Sequence, residues 1–560
     1  MAARDIDYDS DSDSDYDYDF DFDYTLRSFL SLFSLLFSLL SSLLPGLMYL
    51  ISSKCLPVNR LETEHSVHDG EPEKSHQQME GQDWNGDAHL RLDSHGLPLV
   101  PQPSSFKDDP LNWPSRLKWA VLVQVGLMAF LGPYNAALIN PSLVLLADGM
   151  NVTPKVAAYS TTTGIIVGGL SPFIWTPLTN YYGRRPVTLL AILITVMGGI
   201  GSGASPNFSA LLGTRALCGF GFGGMMSVGT ACVNDMFFLH ERGEKTGVYS
   251  IFVTNGAHVA ALIGGFLGGA AGWQWDFYLG AISTSLCLLV ALFCFPETLF
   301  SHDPTFLANR TERTYMQMLF SFRGNMIPGH HLRVSDFLQS PSMLRYPSIL
   351  LPFWYYTWSW TFINVMPAIS LANIYTHFYG LGPGPIGACL GVSLIIGSVL
   401  GECFAGRASD YLVLQQAGRH QNVRKPEYRL YLCTLSAVFM PVGLILFGAT
   451  VGKYSFYVPL VGLGLGVFGL QIASTTLYAY TSDCYKPQTP ESGTVFNLSR
   501  GLSFVVGYFA LPFAQEVGYF WAWFTFAAAL FCSFLPIVAL MVWGEKWRKV
   551  LGAPTWNRDL

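Results

Sequence analysis

Charged side chains are scarce in this chain. Aspartate, glutamate, lysine and arginine make up 12% of its 560 residues, about half of the roughly 25% that soluble domains carry. Hydrophobic residues make up 51%, and the mean hydropathy is +0.34. This composition excludes an ordinary soluble domain and indicates an integral membrane protein, so the lipid bilayer is the first predicted partner. The net charge of −6 comes mainly from an acidic N-terminal tract, and no basic face suggests a nucleic acid partner.

The sequence also lacks the motifs of several functional classes. It contains no G-x-x-x-x-G-K-[ST] loop, which argues against a pump driven directly by ATP. It contains no H-E-x-x-H element, and no Ser/His/Asp grouping stands out, so we predict neither an enzyme nor a cofactor. The 10 cysteines are scattered without paired metal-ligand spacing, and we predict no metal site.

The first 112 residues differ from the rest of the chain. Residues 1–24 are a low-complexity tract of Asp, Tyr, Ser and Phe, which cannot form a core, and residues 52–112 are polar. We therefore predict a disordered N-terminal tail over 1–112. Within it, the apolar segment 26–51 is long enough to span a bilayer, but its acidic start does not fit a secretory signal. An extra span or membrane-associated segment and an accident of gene-model choice remain the two alternatives.

Downstream of Trp113, apolar segments of about 20 residues recur, each long enough to cross the membrane as a helix. The predicted spans lie near residues 117–142, 156–179, 187–204, 209–235, 246–269, 275–295, 347–375, 384–406, 430–450, 455–482, 493–514 and 518–543. We predict an all-α integral membrane fold of twelve helices in two pseudo-symmetric bundles, 113–296 and 346–545. A cytosolic loop, 297–345, separates the bundles, and a cytosolic tail, 546–560, follows them.

Basic residues concentrate in alternate loops. They include Arg184, Arg185, Arg242, Lys245, Arg310, Arg345, Arg407, Arg429, Lys486, Lys546 and Lys549. The opposite loops hold little beyond Lys155 and Lys453, so the positive-inside rule predicts that both ends of the twelve-span core face the cytosol. Asn151 and Asn207 begin N-x-[ST] sequences in the predicted outside loops, and we predict that both carry glycans.

The two halves of the core resemble each other. Asp235 follows the fourth span as Asp483 follows the tenth. The turn after the second span, 180–186, has its counterpart after the eighth, 406–410. Repeated six-span halves are typical of secondary transporters, whose substrate site lies near the middle of the membrane between the halves.

Short motifs carry a resemblance to a known family. The matching residues are Gly183, Arg184 and Arg185 after the second span, Gly406 and Asp410 after the eighth, Arg215, Gly219 and Gly221 in the fourth, and Pro296, Glu297 and Thr298 after the sixth. On these residues the chain, over roughly 113–545, resembles a major facilitator superfamily transporter of the fungal twelve-span drug:proton antiporter type. The stretch Asp109 to Pro114 is similar to the pre-span motif of its polyamine- and histidinol-transporter-like branch.

Two departures from the family pattern are visible. Asn180 stands where the loop signature has an acid, and Thr176 replaces its first glycine. In the fifth span, the antiporter signature keeps Gly256, Gly264 and Gly265, but Ala260 and Ala261 replace Gly-Pro. The second departure weakens any prediction of the direction of transport, export or uptake, and leaves the predicted fold unchanged.

The resemblance implies a proton-coupled secondary transporter that exports small organic molecules, drugs or secondary metabolites, by alternating access. Its implied partners are a small-molecule substrate and protons, and we expect a monomer in the plasma membrane, with the vacuolar membrane as the alternative. Proton-driven uptake of polyamine-like cations is the second hypothesis. A transport-inactive nutrient sensor on the same scaffold is the hypothesis from another functional class.

Polar and aromatic residues inside the spans are the candidates for the substrate and proton pathway, because a charge in hydrocarbon is costly and often functional. The candidates are Arg215, Arg500, Glu402, His258, Tyr134, Asn135, Trp358, Trp360, Asn364 and Gln471. The resemblance implies a part in proton coupling for Arg215. For the other polar candidates, ordinary interhelical hydrogen bonding is the competing interpretation.

Three of these candidates have specific alternatives. Arg500 is predicted to hold an anionic or polar substrate group, or else a neighbouring helix. Glu402 is predicted to bind a proton or cation, or else to pair with Arg407. His258 is predicted to titrate near neutral pH, or else to be a packed, hydrogen-bonded residue.

A cytosolic gate is the second predicted site. Its candidates are Asn180, Gly183, Arg184, Arg185, Asp235 and Asp410. We predict that Asp235 meets Arg184 or Arg185 in an ion pair that breaks when the inner face opens. The alternative is a static surface pair, which would contribute under about 1 kcal/mol to stability.

Overall fold

The computed structural model describes residues 99, 102–302, 307, 311–320, 332–419, 425–485, 488–552 and 554, with backbone alone at a few helical positions. All regular structure within these ranges is helical. The predicted apolar segment 26–51 lies outside the described residues.

Six helices of the first half correspond to the first six predicted spans. Their bounds are Ser115–Ala137 (α1), Pro154–Ala157 with Tyr159–Leu170 and Pro172–Tyr182 (α2), Arg184–Gly203 (α3), Phe208–Met236 (α4), Leu239–Ala271 (α5) and Gln274–Cys294 (α6). A short helix, Leu143–Met150, continues beyond α1. We call the side that carries the basic loops the inner side, which the positive-inside rule predicts to be cytosolic, and the opposite side the outer side.

Six further helices form the second half. Their bounds are Pro347–Trp360 with Thr361–Val365 and Met366–Tyr379 (α7), Pro383–Arg419 (α8), Cys433–Thr450 (α9), Val458–Cys484 (α10), Thr489–Leu502 with Ser503–Val505 and Val506–Val517 (α11), and Tyr519–Ser533 with Leu535–Leu551 (α12). Short helical turns, Tyr315–Leu319, Val334–Leu338, Gln339–Ser342 and Met343–Arg345, lie between the halves in the sequence. The predicted all-α membrane fold is confirmed.

Ten helices of the described chain are long and apolar enough to cross a membrane, judged by length and composition. The other two predicted spans, α2 and α7, are helical but interrupted. In α2 the break at Ser171 directly precedes Pro172, and in α7 a π-helical turn, Thr361–Val365, is followed closely by Pro367. Proline has no N–H to donate to the residue four positions earlier, which explains both interruptions.

The two halves meet along α5 with α8 and along α2 with α11. At mid-membrane, a Cβ atom added to Gly169 of α2 would lie 2.3 Å from the Cα of Gly501 in α11. Closer to the inner side, the hydroxyls of Thr176 and Thr494 lie 2.9 Å apart. Glycine at the contact lets the helix backbones of the two halves approach each other directly.

A strap, residues 104–113, crosses the inner end of the first half before α1 begins. Asp109 fixes it: its carboxylate accepts hydrogen bonds from the backbone N–H groups of Ser104 (2.8 Å) and Leu111 (2.9 Å) and lies 3.2 Å from His302 Nε2. Burial alone would raise the pKa of Asp109. The hydrogen bond and charge of His302 and the two backbone donors outweigh burial and hold the pKa below its usual value.

Replacing Asp109 by alanine should lower the midpoint of thermal unfolding in detergent by a few degrees, because it removes a helix cap whose loss costs about 0.5–2 kcal/mol. Since the folded-state pKa of Asp109 is depressed, this stabilisation is present above the usual carboxyl pKa of about 3.9 and is lost as pH falls through the folded-state value. Asp109→Asn, which keeps a capping oxygen, should lower the midpoint of thermal unfolding less than Asp109→Ala does. Equal midpoints for the wild type and Asp109→Ala would contradict the capping role.

Candidate functional site

A cavity of about 430 Å³, the inner cavity, lies between the two halves at the inner side. Helices α4 and α5 line it from the first half, and α8, α10 and α11 line it from the second. Its charged lining residues are Glu402, Arg407, Arg429 and Asp483, of which Arg429 and Asp483 pair at 2.7 Å. A volume of this size is in the range that admits a drug-sized molecule.

A second, smaller cavity of about 80 Å³, the central cavity, lies near the middle of the helices. Residues of α1, α2, α4, α5, α7 and α11 enclose it. Most of its lining is apolar; its polar lining residues are Asn140, Thr161, Asn364, Asn497 and Arg500, and Trp360 is its largest ring. The sequence-predicted candidates Trp360, Asn364 and Arg500 therefore line one cavity.

Three rings, Tyr356, Tyr478 and Phe496, lie between the two cavities; we call them the ring layer. Tyr478 lines the inner cavity and stacks on Phe496 with ring centroids 4.4 Å apart. Tyr356 packs edge-on against both rings, and its hydroxyl accepts hydrogen bonds from Arg500 of the central cavity. The layer separates the central cavity from the inner one.

The outer side of the cleft between the halves is closed. A cavity of about 20 Å³ lies there between Leu143 and Leu511, with room for little more than one water molecule. Nearby, a Cβ on Gly265 of α5 would lie 2.4 Å from the carbonyl oxygen of Pro383, and one on Gly387 of α8 would lie 2.3 Å from that of Ala261. We call this contact, defined by Gly265 and Gly387, the outer seam. The conformation is thus open on the inner side and sealed on the outer side.

Glu402 of α8 is a buried acid at the wall of the inner cavity. Its Oε2 atom accepts hydrogen bonds from Gln471 Nε2 (2.6 Å) and Thr475 Oγ1 (2.5 Å). Gly247 of α5, in the other half, leaves open the space beside Oε1. Among the salt bridges of the described residues, none joins Glu402 to Arg407, so the carboxylate is held by neutral donors.

Arg500 of α11 is a buried cation of the central cavity. Its Nε and Nη2 atoms donate to the Tyr356 hydroxyl at 3.2 and 3.1 Å, and Nη1 lies 3.4 Å from Asn497 Oδ1. The guanidinium carbon lies 4.6 Å from the centre of the Trp360 ring. Its hydrogen-bond partners are neutral side chains and not backbone carbonyls.

Arg215 of α4 is buried differently. Its guanidinium donates to the backbone carbonyls of Ser160 (3.2 Å), Asn135 (3.0 Å) and Ala136 (3.1 Å) and lies 5.2 Å from the Phe277 ring. These bonds join α4 to α1 and α2, and Arg215 does not line either cavity. The geometry is that of a helix-bridging arginine, and its part in proton coupling stays a prediction.

Five other candidates do not line the central cavity. Asn135 donates to Leu131 O and to Thr284 Oγ1 of α6, and Tyr134 on the same helix is buried and stacks on Phe130. Trp358 is half-buried between the rings of Trp354 and Phe362.

His258 of α5 is fully buried between the halves, near Asn364, and its ring nitrogens have no hydrogen-bond partner at normal distance among the described residues. Gln471 acts through its bond to Glu402. Which of these residues take part in transport stays a prediction.

The predicted ion pair between Asp235 and the basic turn is present. Arg184 Nε lies 3.1 Å from Asp235 Oδ2, and Arg184 Nη1 donates to Thr179 Oγ1 (3.2 Å) and to Asn180 Oδ1. Gly183 adopts φ +106°, which favours glycine, and so makes the sharp turn into α3. All these residues belong to the first half, so the pair braces α2, α3 and α4 of one bundle. Its gating role stays a prediction, and the side chain of Asp410 lies outside the described residues.

Arg185 and Glu297 tie α3 to the inner end of α6. Arg185 donates to the carbonyls of Ala291 (3.0 Å), Leu292 (2.7 Å) and Phe295. The Glu297 carboxylate accepts from the backbone N–H groups of Arg184 (2.8 Å) and Arg185 (3.2 Å), an acid at a helix N-terminus. Burial raises the pKa of Glu297 despite these donors, which lower it.

The predicted glycan acceptors lie in loops of the outer side. Asn151 is exposed in a left-handed conformation (φ +51°) at the end of Leu143–Met150. Asn207 is exposed and caps α4 through Oδ1, which accepts from Ala210 N at 2.8 Å, while a glycan would attach at Nδ2. Glycosylation stays a prediction at both.

The sequence patterns did not point to two cavity-lining residues, Asn497 and Tyr478, or to Tyr356 of the ring layer. A polar residue three positions before an intramembrane arginine, as Asn497 precedes Arg500, is the signal that could have found the first.

Comparisons with known proteins agree with this architecture. A family model described as Major Facilitator Superfamily matches residues 125–510. The efflux pump radE of Floropilus chiversii is 26% identical over 461 residues, covering 79% of this chain and 82% of that protein. A cycloheximide resistance protein of Candida maltosa is 27% identical over 396 residues, covering 68% of this chain and 70% of that protein.

A solved structure shares the fold. The human organic anion transporter MFSD10 (TETRAN) aligns with a TM-score of 0.52 at 16% identity, covering 75% of this chain and 99% of that chain. At this identity the likeness concerns the fold alone. The family model covers most of the chain, and the relatives are fungal transporters. The chain therefore belongs to the Major Facilitator Superfamily and is a multi-pass membrane transporter of small molecules, similar to fungal efflux pumps.

Proposed function

We propose that the chain exports small organic molecules in exchange for protons, as a monomer in the plasma membrane, by rocking its two halves around the central cavity. The observation that carries the proposal is a cleft open on one side and sealed on the other, with a buried acid, Glu402, at its open wall. An acid held by neutral donors is suited to exchange its proton with water in the cavity.

The relatives support export over uptake, since two of those compared carry names of efflux or resistance. The test is flux by the full-length chain in proteoliposomes with imposed pH gradients. Export predicts that compounds accumulate on the predicted outer side when that side is acidic, and that a proton ionophore abolishes accumulation. Failure of every imposed gradient to move any compound of a broad panel would contradict the proposal and favour the nutrient sensor.

A native thiol reports the conformation. Cys403 lines the inner cavity and is exposed, so a membrane-impermeant maleimide should label it from the inner side of inside-out vesicles. Labelling from the outer side of intact cells should be at least about tenfold slower, because the outer seam is closed. Loss of labelling in Cys403→Ser would show that the signal comes from Cys403 and not from another exposed cysteine. Equal labelling from both sides would rule out the proposed inward-open resting state.

A further inference from the structure

The central cavity contains a positive charge that the described protein does not neutralise. Arg500 is 8% exposed, and none of the salt bridges among the described residues includes it. Its bonds run to a tyrosine hydroxyl and an amide oxygen. An ionised residue inside the membrane is costly, and its usual compensation is a partner charge or a function.

The contrast with Arg215 shows that helix bridging does not explain Arg500. Arg215 is equally buried, but backbone carbonyls of two neighbouring helices fix its guanidinium, away from both cavities. Arg500 instead lines the central cavity and donates to the side chains of Tyr356 and Asn497. A guanidinium has five N–H donors in a planar fork, which matches the two oxygens of a carboxylate.

The rest of the cavity favours an apolar, preferably aromatic, body beside the acid group. Trp360 lies over the guanidinium at 4.6 Å, and the lining is otherwise mostly apolar, with Phe222, Met226 and Ile165 among it. The present 80 Å³ holds only a head group, and the 430 Å³ inner cavity lies on the other side of the ring layer. No acidic side chain lines the central cavity in the described residues, so a cation would face Arg500 without compensation.

We infer that the central cavity selects small aromatic or apolar molecules that carry a carboxylate, which binds Arg500. The inference rests on the proposed function for transport and adds the substrate class. It contradicts the second hypothesis, in which the substrates are polyamine-like cations.

The test compares three probes that share one ring system and differ in charge: 2-naphthoate, 2-naphthamide and 2-naphthylmethylammonium. Gradient-driven flux is measured in proteoliposomes with protein-free liposomes as background, and binding is measured as thermal stabilisation of the purified full chain. The wild type should bind and move the acid at least about tenfold better than the amide or the amine. Arg500→Gln should remove this preference. Arg500→Lys, which keeps the charge and loses the fork, should give an intermediate ratio.

A matched pair of tryptophans controls for folding and general hydrophobicity. Trp360→Phe, inside the cavity, should lower acid binding severalfold, whereas Trp354→Phe, at an exposed position outside the cavity lining, should leave the acid-to-amide ratio unchanged. Equal handling of the three probes, preference for the amide or amine, or no binding of naphthoate overturns the inference. The proposed function survives that result if another compound still moves with the gradient. Conversely, if naphthoate binds only when Arg500 is present while no compound moves with the gradient, that result supports the assigned binding site and contradicts the proposed function.

Discussion

Gly265→Ala should lower gradient-driven transport about fivefold or more, whereas Gly269→Ala, one turn away on the same helix, should leave transport unchanged. The Cβ of an alanine at 265 would lie 2.4 Å from Pro383 O and 2.9 Å from the Cα of Gly387. Both are backbone atoms of α8, which cannot rotate away. At 269 the nearest atoms would be 3.8 and 3.9 Å away, an ordinary van der Waals distance.

The size of the effect follows from overpacking. One added methyl in a close-packed contact costs about 1–3 kcal/mol, and about 1.4 kcal/mol changes an equilibrium constant tenfold. The methyl at 265 therefore lowers the population of the outer-closed conformation by about five- to hundredfold. Both substitutions raise helix propensity by the same amount, about 0.5–1 kcal/mol, so this contribution cancels in the comparison.

The rate of maleimide labelling at Cys403 separates this mechanism from misfolding. Gly265→Ala should slow labelling from the inner side, because the inner cavity narrows when the outer seam opens, and Gly269→Ala should label like the wild type. A correctly folded Gly265→Ala protein with wild-type labelling and flux would show that the seam does not need to close in the transport cycle.

Hydropathy, charge and motifs were enough to predict the helices and an ion pair of Asp235 with Arg184 or Arg185, of which the structure contains the pair with Arg184. Each depends on features that a sequence shows directly, namely apolar run length, basic loops and repeated motifs. The interruptions of α2 and α7 were not predicted, although Pro172 and Pro367 mark them.

The lining of the cavities was harder to predict, because central helices are apolar on every face and periodicity does not show which side meets a cavity. Trp358 and Trp360 are two residues apart, about 200° around a helix, so only one can line the cavity. Asn135 likewise faces Thr284 of α6 rather than the other half. Arg215 and Arg500 are indistinguishable as intramembrane arginines, and only their partners separate them.

Glu402→Gln should remove the dependence of transport on the pH gradient. The amide matches the carboxylate in shape, and its oxygen can still accept a hydrogen bond from Thr475 or Gln471, so the fold should tolerate it. A neutral residue at 402 has no proton to exchange, so accumulation driven by an imposed gradient should fall more than about tenfold. Glu402→Asp, which keeps an acid, should retain part of the gradient-driven accumulation.

The matched control is Glu545→Gln on α12, whose carboxylate bonds Lys425 (2.6 Å) and Lys549 (2.7 Å) outside the inner cavity. Such exposed pairs contribute little, at most about 1 kcal/mol, and the variant should keep its response to the gradient. Substrate counterflow at equal pH distinguishes lost coupling from lost binding, because exchange of substrate for substrate needs no net proton movement. Glu402→Gln should retain counterflow while losing accumulation. If it instead accumulates substrate like the wild type, the coupling proton resides elsewhere, and the buried His258 between the halves becomes the next residue to replace.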